Sequence, residues 1–332
     1  MMNALTGQAW FNVRATGRRD WYSIVFSVFF AVLLLFVPWE QLAGRPFEDR
    51  EVYFDTFLYQ PPIIEDRSIA SFHEFFFNEA LWDLAIRSAM SDLGIGLPLL
   101  FGGITFACLF CFSHFLVSRH GAAAALLLVN PMVIDFAFSQ LRMAASVSLV
   151  LLALTARRRL VLGAIIALAC FIHTAMLLFI LMYLVAVQMG RRLRTWRASP
   201  WLVAIVAIGG GMLIALLAGP LRETLLSSVG DRRAEYTLAA VSLSYASLWM
   251  GLMLLAPLQN RSFFSNDTNL FSVACIATFV FTTLLGVYGA RFVAATYPVL
   301  MSAVLDFRSP TREMAVLAFL FYTALQWHYW FQ

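Results

Sequence analysis

The sequence predicts an all-α polytopic membrane protein with about ten or eleven transmembrane helices, some of them short or re-entrant. Composition is the first observation: of 332 residues, 61% are hydrophobic and 13% charged, whereas a soluble domain is about 25% charged. The second is a set of four apolar runs close to the ~20 residues that cross a ~30 Å hydrocarbon core. The third is an uneven distribution of arginine between alternate connections, which the positive-inside rule predicts for a multispanning chain.

The spans are placed on the long apolar runs and on the shorter ones between them. Asn130-Pro131 is expected to interrupt one span, because proline lacks a backbone donor and restricts the residue before it. The first run is predicted to be a retained span, since Pro38-Trp39-Glu40 follows it in place of a small-residue cleavage site. The predicted spans are 21–38, 97–117, 121–137, 142–156, 160–172, 174–188, 200–218, 240–258, 269–288, 291–305 and 312–331.

The arginines predict the orientation of these spans. With the N-terminus, residues 1–20, in the cytoplasm, the connections on that side hold 14 Arg and four acidic residues, or +10. The opposite side holds nine Arg and 15 acidic residues, or −6. This asymmetry favours two spans, not one, over 160–188, and it makes 39–96 a long extracytoplasmic loop. A single integral membrane domain, 1–332, is expected.

Within that loop, residues 79–94 have apolar side chains at helical spacing. The pattern is typical of an amphipathic helix that lies on the membrane surface, or of a helix that packs over the bundle. Both interpretations place a helix directly after Glu79.

Several classes of site are not indicated. No outer face is basic overall, which argues against a nucleic-acid partner. The sequence has no zinc-like His/Cys cluster, phosphate-binding glycine loop or Gly-x-Ser-x-Gly elbow. The four cysteines lie in apolar runs and are predicted to be buried apolar residues. No metal or other cofactor is expected, with a divalent metal at the acid-x-acid pair Asp49 and Glu51 as the alternative.

Some arginines break the positive-inside rule, and these indicate a site. Charged side chains at membrane depth usually face a cavity and a partner, although a single Arg at a helix end can also extend to the headgroups. Arg142, His173 and Arg291 fall near the starts of predicted helices, where free N–H groups and the helix dipole favour anions. Guanidinium forks suit phosphate or diphosphate, so the sequence predicts a pocket for an anionic lipid headgroup. Five of the nine outer arginines lie mostly at span edges: Arg142, Arg222, Arg232, Arg233 and Arg291.

Acidic, basic and aromatic residues also recur in short patterns over most of the chain. They are Asp49-x-x-x-Tyr53-x-x-x-Phe57, Glu79 before an amphipathic helix, Ser139-Gln-Leu-Arg142-Met-Ala, the basic turn Arg157 to Arg159 followed by a helix that ends at His173, Arg232-Arg233-x-x-Tyr236, and Tyr288-Gly-Ala-Arg291 with Tyr297. In order and spacing they resemble the EpsG-like branch of the Wzy-type polysaccharide polymerases. The chain departs from that family at Thr174, where relatives often carry Ser, and in its arginine-only basic turns.

The resemblance implies a membrane glycosyltransferase of the bacterial inner (cytoplasmic) membrane. Such an enzyme polymerises undecaprenyl-diphosphate-linked repeat units into O-antigen, the glycan of lipopolysaccharide, or exopolysaccharide at the outer leaflet. Its expected partners are the lipid-linked donor and acceptor, membrane lipids and a chain-length regulator protein. His173 and Asp49 are the candidate catalytic bases for the acceptor hydroxyl. The residues expected at the diphosphate or glycan are Arg142, Arg291, Arg232, Arg233, Tyr53, Glu79, Tyr236 and Tyr288.

Three other functions stay open on the sequence. An O-antigen ligase would share the arginine pocket and use lipid A core as acceptor. A transporter or flippase of lipid-linked glycans predicts internal repeats and charges near the midplane, whereas the charges here gather at one face. A membrane acyltransferase would use His173 without an acidic partner nearby in sequence.

Overall fold

A computed structural model describes residues 17–66, 69, 71–154, 159–221, 242–287 and 289–332. All of the secondary structure in these residues is helical, which confirms the predicted all-α class. Two short 3₁₀ segments, Ala122–Leu128 and Ala256–Leu258, join α-helices. The α-helices are α1 (Gly17–Leu35), α2 (Trp39–Ala43), α3 (Glu48–Tyr59), α4 (Ile63–Asp66), α5 (Phe72–Phe77), α6 (Ala80–Ser91), α7 (Leu97–His120), α8 (Pro131–Ser139), α9 (Leu141–Ala153), α10 (Arg159–Ile172), α11 (Ala175–Thr195), α12 (Pro200–Ala218), α13 (Leu243–Leu255), α14 (Arg261–Ser265), α15 (Asp267–Leu284), α16 (Ala290–Leu305) and α17 (Thr311–Trp330).

Four of the described helices are long and apolar enough to cross a membrane: α7, α11, α12 and α15. The 3₁₀ segment before α8 and α8 itself form a fifth candidate, bent by 75°. Other apolar helices, such as α9 and α10, have 10–17 residues. At 1.5 Å per residue they reach only about 15–25 Å, short of a ~30 Å hydrocarbon core. The described chain is therefore a helical protein with four or five candidate spans, and the ten or eleven predicted spans stay a prediction.

Two predicted breaks in the helical pattern are confirmed. Pro131 is the first residue of α8, and the Asn130 side chain accepts a hydrogen bond from the Met132 amide at 2.9 Å, an N-cap that begins the new helix. The apolar region 160–188 is divided between α10 and α11 at His173 and Thr174. Both breaks bring polar groups to helix ends.

The segment 39–96, predicted as a long extracytoplasmic loop that carries an amphipathic helix, contains five helices, α2 to α6, in its described residues. The predicted helix after Glu79 is present as α6, and its Trp82 and Ile86 side chains are buried in an apolar core with Phe57, Phe101 and Leu141. This burial agrees with the interpretation of α6 as a packing helix. Local signals stabilise the other helices, for example the capping box between Ser71 and Glu74 at α5.

Contacts divide the described chain into two compact units, residues 17–177 with 328–332 and residues 178–221 with 242–327, each with the gaps given above. In the first unit α7 packs against α1 and α9, and α9 packs against α10. Leu141 at the start of α9 and Ile172 at the end of α10 belong to the same apolar core. The core therefore brings the first residues of α9 close to the end of α10.

In the second unit α15 packs against α12, α13 and α16. The approach of α12 to α15 requires glycine at position 211, because a Cβ there would lie 2.4 Å from the Ala274 carbonyl oxygen. The Thr278 hydroxyl donates to the Gly211 carbonyl oxygen at 3.2 Å. The four cysteines, which belong to α7, α10 and α15, are buried as predicted.

Candidate functional site

Four of the residues predicted at the site meet in the first unit. Tyr53 comes from α3, Glu79 from the turn before α6, Arg142 from the first turn of α9, and His173 from the break between α10 and α11. Thr174, next to His173, also contacts Glu79. We call these five residues the Glu79 cluster. Its direct contacts join residues far apart in the sequence, up to 95 positions for Glu79 and Thr174.

Glu79 is the centre of the cluster and is only 2% exposed. Its Oε2 accepts from Arg142 Nη1 at 2.7 Å. Its Oε1 is 2.6 Å from His173 Nδ1 and accepts from the Thr174 amide at 3.1 Å and the Thr174 hydroxyl at 3.3 Å. A buried carboxylate is costly unless charged or polar groups surround it, and four donor groups do so here.

The backbone of Glu79 is unusual as well. Its φ of 57° and ψ of 36° lie in the left-handed region, which costs a non-glycine residue about 1–2 kcal/mol. The conformation joins α5 to α6 through a tight turn, in which the Glu79 amide donates to the Phe76 carbonyl oxygen at 3.1 Å. Strained backbone of this kind occurs most often where a side chain must point in a functional direction.

Arg142 is held from two sides. In addition to its bond with Glu79, its Nε donates to the Tyr53 hydroxyl at 3.0 Å, and its Cζ lies 5.5 Å from the centroid of the Tyr53 ring. The Tyr53 ring packs edge-on against Trp82 and Phe101 at centroid distances of 6.0 and 6.2 Å. The Arg142 side chain is 22% exposed, so part of it lies outside the core.

The partners of Glu79 assign a tautomer to His173. With Glu79 ionised beside Arg142, the carboxylate can only accept hydrogen bonds, which assigns the donor role in the contact to His173 Nδ1. In the neutral ring, the lone pair is then on Nε2, which makes Nε2 the proton-accepting atom. A carboxylate that holds one ring nitrogen and stabilises the protonated ring is the arrangement that general-base histidines use.

Two buried polar atoms flank the same turn. Asn78 Oδ1 and Trp82 Nε1 belong to residues 4% and 5% exposed, and within the described residues neither atom has a hydrogen-bond partner. One is an acceptor and the other a donor. The turn around Glu79 therefore has hydrogen-bonding capacity that an ordered water or a ligand hydroxyl can satisfy.

Asp49, the other predicted base, is in the first turn of α3, four residues before Tyr53. Residues four apart share a helix face, so Asp49, which is half-buried, lies on the same face of α3 as Tyr53. Glu51, the second half of the predicted acid-x-acid pair, is exposed. Within the described residues, no group of three or more His, Cys, Asp or Glu side chains is gathered to hold a metal.

The remaining predicted residues belong to the second unit or lie outside the described residues. Arg291 is the second residue of α16, as predicted for a helix start, and belongs to the second unit. Arg222, Arg232, Arg233, Tyr236 and Tyr288 lie outside the described residues. A pocket that combines these arginines with Arg142 stays a prediction.

Sequence reasoning missed two features of the cluster. It left His173 without an acidic partner and assigned Glu79 to the substrate, whereas the structure joins the two side chains. It also noted Thr174 only as a departure from a family pattern, although both Thr174 donors bind Glu79. The sequence did offer one signal of this contact: a residue with a hydroxyl group, Thr174, directly follows His173 at a predicted helix break.

The fold thus defines an all-helical protein with helices able to span a membrane and a buried acid–arginine–histidine cluster. Comparison of the chain with protein-family models, with curated proteins and with solved structures finds no match.

Proposed function

We infer that this chain is a membrane glycosyltransferase of the polysaccharide-polymerase type. In the proposed reaction, an acceptor sugar hydroxyl attacks the anomeric carbon of a glycan carried on undecaprenyl diphosphate. The bond from that carbon to the diphosphate oxygen breaks, and the lipid diphosphate leaves with the electron pair. The reaction needs a group that takes the hydroxyl proton and positive charge that stabilises the leaving group.

The Glu79 cluster is the observation that carries this proposal. His173 Nε2 takes the proton of the acceptor hydroxyl, and Glu79, 2.6 Å from Nδ1, stabilises the imidazolium that results. The same carboxylate then serves as the orienting group, and the substrate contacts His173 and Arg142. Asp49, one turn from Tyr53, is the alternative base.

Arg142 supplies positive charge for the leaving diphosphate. Its guanidinium carries five N–H donors in a fixed fork, and the bonds to Tyr53 and Glu79 fix its orientation. Such preorganised charge contributes more to a transition state than a mobile side chain, because no reorientation is needed during the reaction. The sequence predicts Arg291, Arg232 and Arg233 as further diphosphate ligands, and Tyr236 and Tyr288 at the glycan.

The proposed setting is the outer leaflet of the bacterial cytoplasmic membrane. In this arrangement the four long helices cross the bilayer, the shorter apolar helices, α9 and α10 among them, lie within it as short or re-entrant segments, and 39–96 is extracytoplasmic. Cysteines introduced by Gln60→Cys and Thr195→Cys test the orientation, since both native residues are exposed. An impermeant thiol reagent added to intact cells is expected to label the first and not the second, and the reverse pattern would contradict the orientation.

The function itself is tested by the surface glycan of a strain that lacks this chain. A polymerase predicts loss of the long glycan ladder with a single repeat unit retained. Loss of all surface glycan would indicate a ligase or a flippase, and an unchanged ladder would contradict glycan assembly altogether. Complementation with the unaltered chain should restore the ladder.

A further inference from the structure

A second arginine binds α6 to α3 close to the Glu79 cluster. Arg87 Nε donates to both carboxylate oxygens of Asp83, at 3.1 and 3.0 Å. Arg87 Nη2 lies within hydrogen-bond distance of three carbonyl oxygens at the end of α3, those of Thr56 at 3.3 Å, Gln60 at 3.1 Å and Pro61 at 3.1 Å. We call this arrangement the Arg87 clamp.

The clamp also reaches the connection after α3. Asp83 Oδ2 accepts from the Ile63 amide, the first residue of α4, at 3.2 Å. The Arg87 Cζ lies 5.5 Å from the centroid of the Phe57 ring, which is buried. The last carbonyl groups of a helix lack partners within the helix, although the Thr56 oxygen also accepts from the Gln60 amide at 3.2 Å. A guanidinium is well suited to bind a carboxylate and several such carbonyls at once, because its five donors form a rigid fork.

The clamp and the cluster connect the same two chain segments at neighbouring helical turns. Phe57 follows Tyr53 by four residues on α3, and Asp83 follows Glu79 by four residues at the start of α6. Arg142 joins Tyr53 and Glu79, while Arg87 joins the end of α3 to Asp83. The clamp therefore ties α3 to α6 one helical turn beyond the two residues that Arg142 joins.

We propose that Arg87 is a positioning residue for the glycosyl-transfer site, and that it fixes Arg142 by holding the two helices that supply the Arg142 acceptors. This inference rests on the proposed function for its catalytic consequence, but its structural consequence is independent of it. Without the clamp, the end of α3 can move, and the Tyr53 hydroxyl no longer stays opposite Arg142 Nε. A displacement of about 1 Å at a catalytic group can reduce a rate by about 10²-fold.

The exchange of the Arg142 Nε proton with solvent measures this positioning directly. In the full chain labelled with [¹⁵N]arginine in detergent, the Arg142 Nε–H signal is identified by its loss in Arg142→Lys. Arg87→Gln is expected to increase the exchange rate of this proton by about tenfold or more, because the bond to Tyr53 is opened. Arg87→Lys should give an intermediate rate, since an ammonium reproduces only part of the fork.

Arg50→Gln is the matched control. Arg50 belongs to α3 and, like Arg87, has an acidic partner, Glu40 at 3.7 Å, and an aromatic ring nearby, with its Cζ 5.8 Å from the centroid of the Phe54 ring. This pair lies outside the clamp, so Arg50→Gln should leave the Arg142 exchange rate unchanged. Unchanged exchange in a folded Arg87→Gln variant would overturn the proposal, as would equal effects of the Arg87 and Arg50 substitutions.

The glycan ladder supplies the second measurement, and the two results separate the two proposals. Faster exchange in Arg87→Gln with a ladder reduced about 10- to 10²-fold supports positioning for glycosyl transfer. Faster exchange with a normal ladder means that Arg87 is structural only, and the positioning role fails. A ladder that does not depend on the chain at all refutes the proposed function, while the exchange rate still decides whether Arg87 fixes Arg142.

Discussion

Two arginine–carboxylate pairs, one in each unit, have almost the same geometry and different surroundings. In the first unit Arg142 Nη1 lies 2.7 Å from Glu79. In the second, Arg194 Nη2 lies 2.8 Å from Asp267. The Arg142 and Glu79 side chains are 22% and 2% exposed, and those of Arg194 and Asp267 are 36% and 15% exposed.

The partners of the two carboxylates differ more than the distances do. Arg194 also lies 3.3 and 3.4 Å from the carbonyl oxygens of Phe264 and Ser265, and so joins the end of α11 to α14 and α15. Glu79 instead shares its carboxylate between an arginine, a histidine and Thr174. The Arg194 pair connects backbone segments, whereas the Glu79 cluster orients a titratable side chain. Both units contain an arginine–carboxylate ion pair, so the pair alone does not identify a site. The additional partners of the carboxylate, here His173 and Thr174, distinguish the Glu79 cluster.

The largest expected difference is in stability. Glu79→Gln leaves Arg142 without its buried counter-charge, and breaking one partner of such a pair costs about 3–5 kcal/mol, toward the lower end here because Arg142 is partly exposed. Asp267→Asn should cost no more than about 1 kcal/mol, since the pair is more exposed. Thermal unfolding in detergent should therefore separate the two variants clearly. Equal unfolding midpoints for the two variants would show that the two ion pairs contribute equally to stability.

Replacement by lysine, which keeps the positive charge, should affect glycan polymerisation at Arg142 and not at Arg194. Arg142→Lys cannot serve Tyr53 and Glu79 from one rigid fork, and we expect a strongly shortened glycan ladder at normal protein levels. Arg194→Lys alters only a connection within the second unit and should retain the ladder. Full activity of Arg142→Lys would mean that a point charge is sufficient there.

Part of this comparison could be predicted from the sequence. The apolar runs 97–117 and 200–218 predicted α7 and α12 to within a few residues, because a long apolar helix is a local property of composition. The break at Asn130-Pro131 was also local. The pairing of His173 with Glu79 was not, since 94 positions separate the two residues and no periodicity connects them. The left-handed backbone at Glu79 was equally hidden, because Gly or Asn is the usual residue in that conformation.

A smaller effect tests how the second unit is built. Gly211→Ala places a Cβ 2.4 Å from the Ala274 carbonyl oxygen and 2.6 Å from Ala277 Cβ, and overpacking of this kind costs about 1–3 kcal/mol. Gly210→Ala, next to it, meets nothing within 4 Å and should be neutral or stabilise by up to about 1 kcal/mol. Thermal unfolding of the two variants provides the measurement. An unchanged unfolding temperature in Gly211→Ala would show that α12 and α15 can move apart without loss of stability.

The most direct test of the central claim, that the Glu79 cluster performs glycosyl transfer, is the glycan ladder of cells whose only copy carries His173→Gln. Glutamine cannot act as a base, so this variant should lose most of a rate factor of about 10²–10⁴. The control is His73→Gln, because His73 is exposed in α5 and is not part of the cluster. A single repeat unit is expected from His173→Gln and a full ladder from His73→Gln, with both proteins present in the membrane. A full ladder from His173→Gln would contradict a catalytic role for the Glu79 cluster.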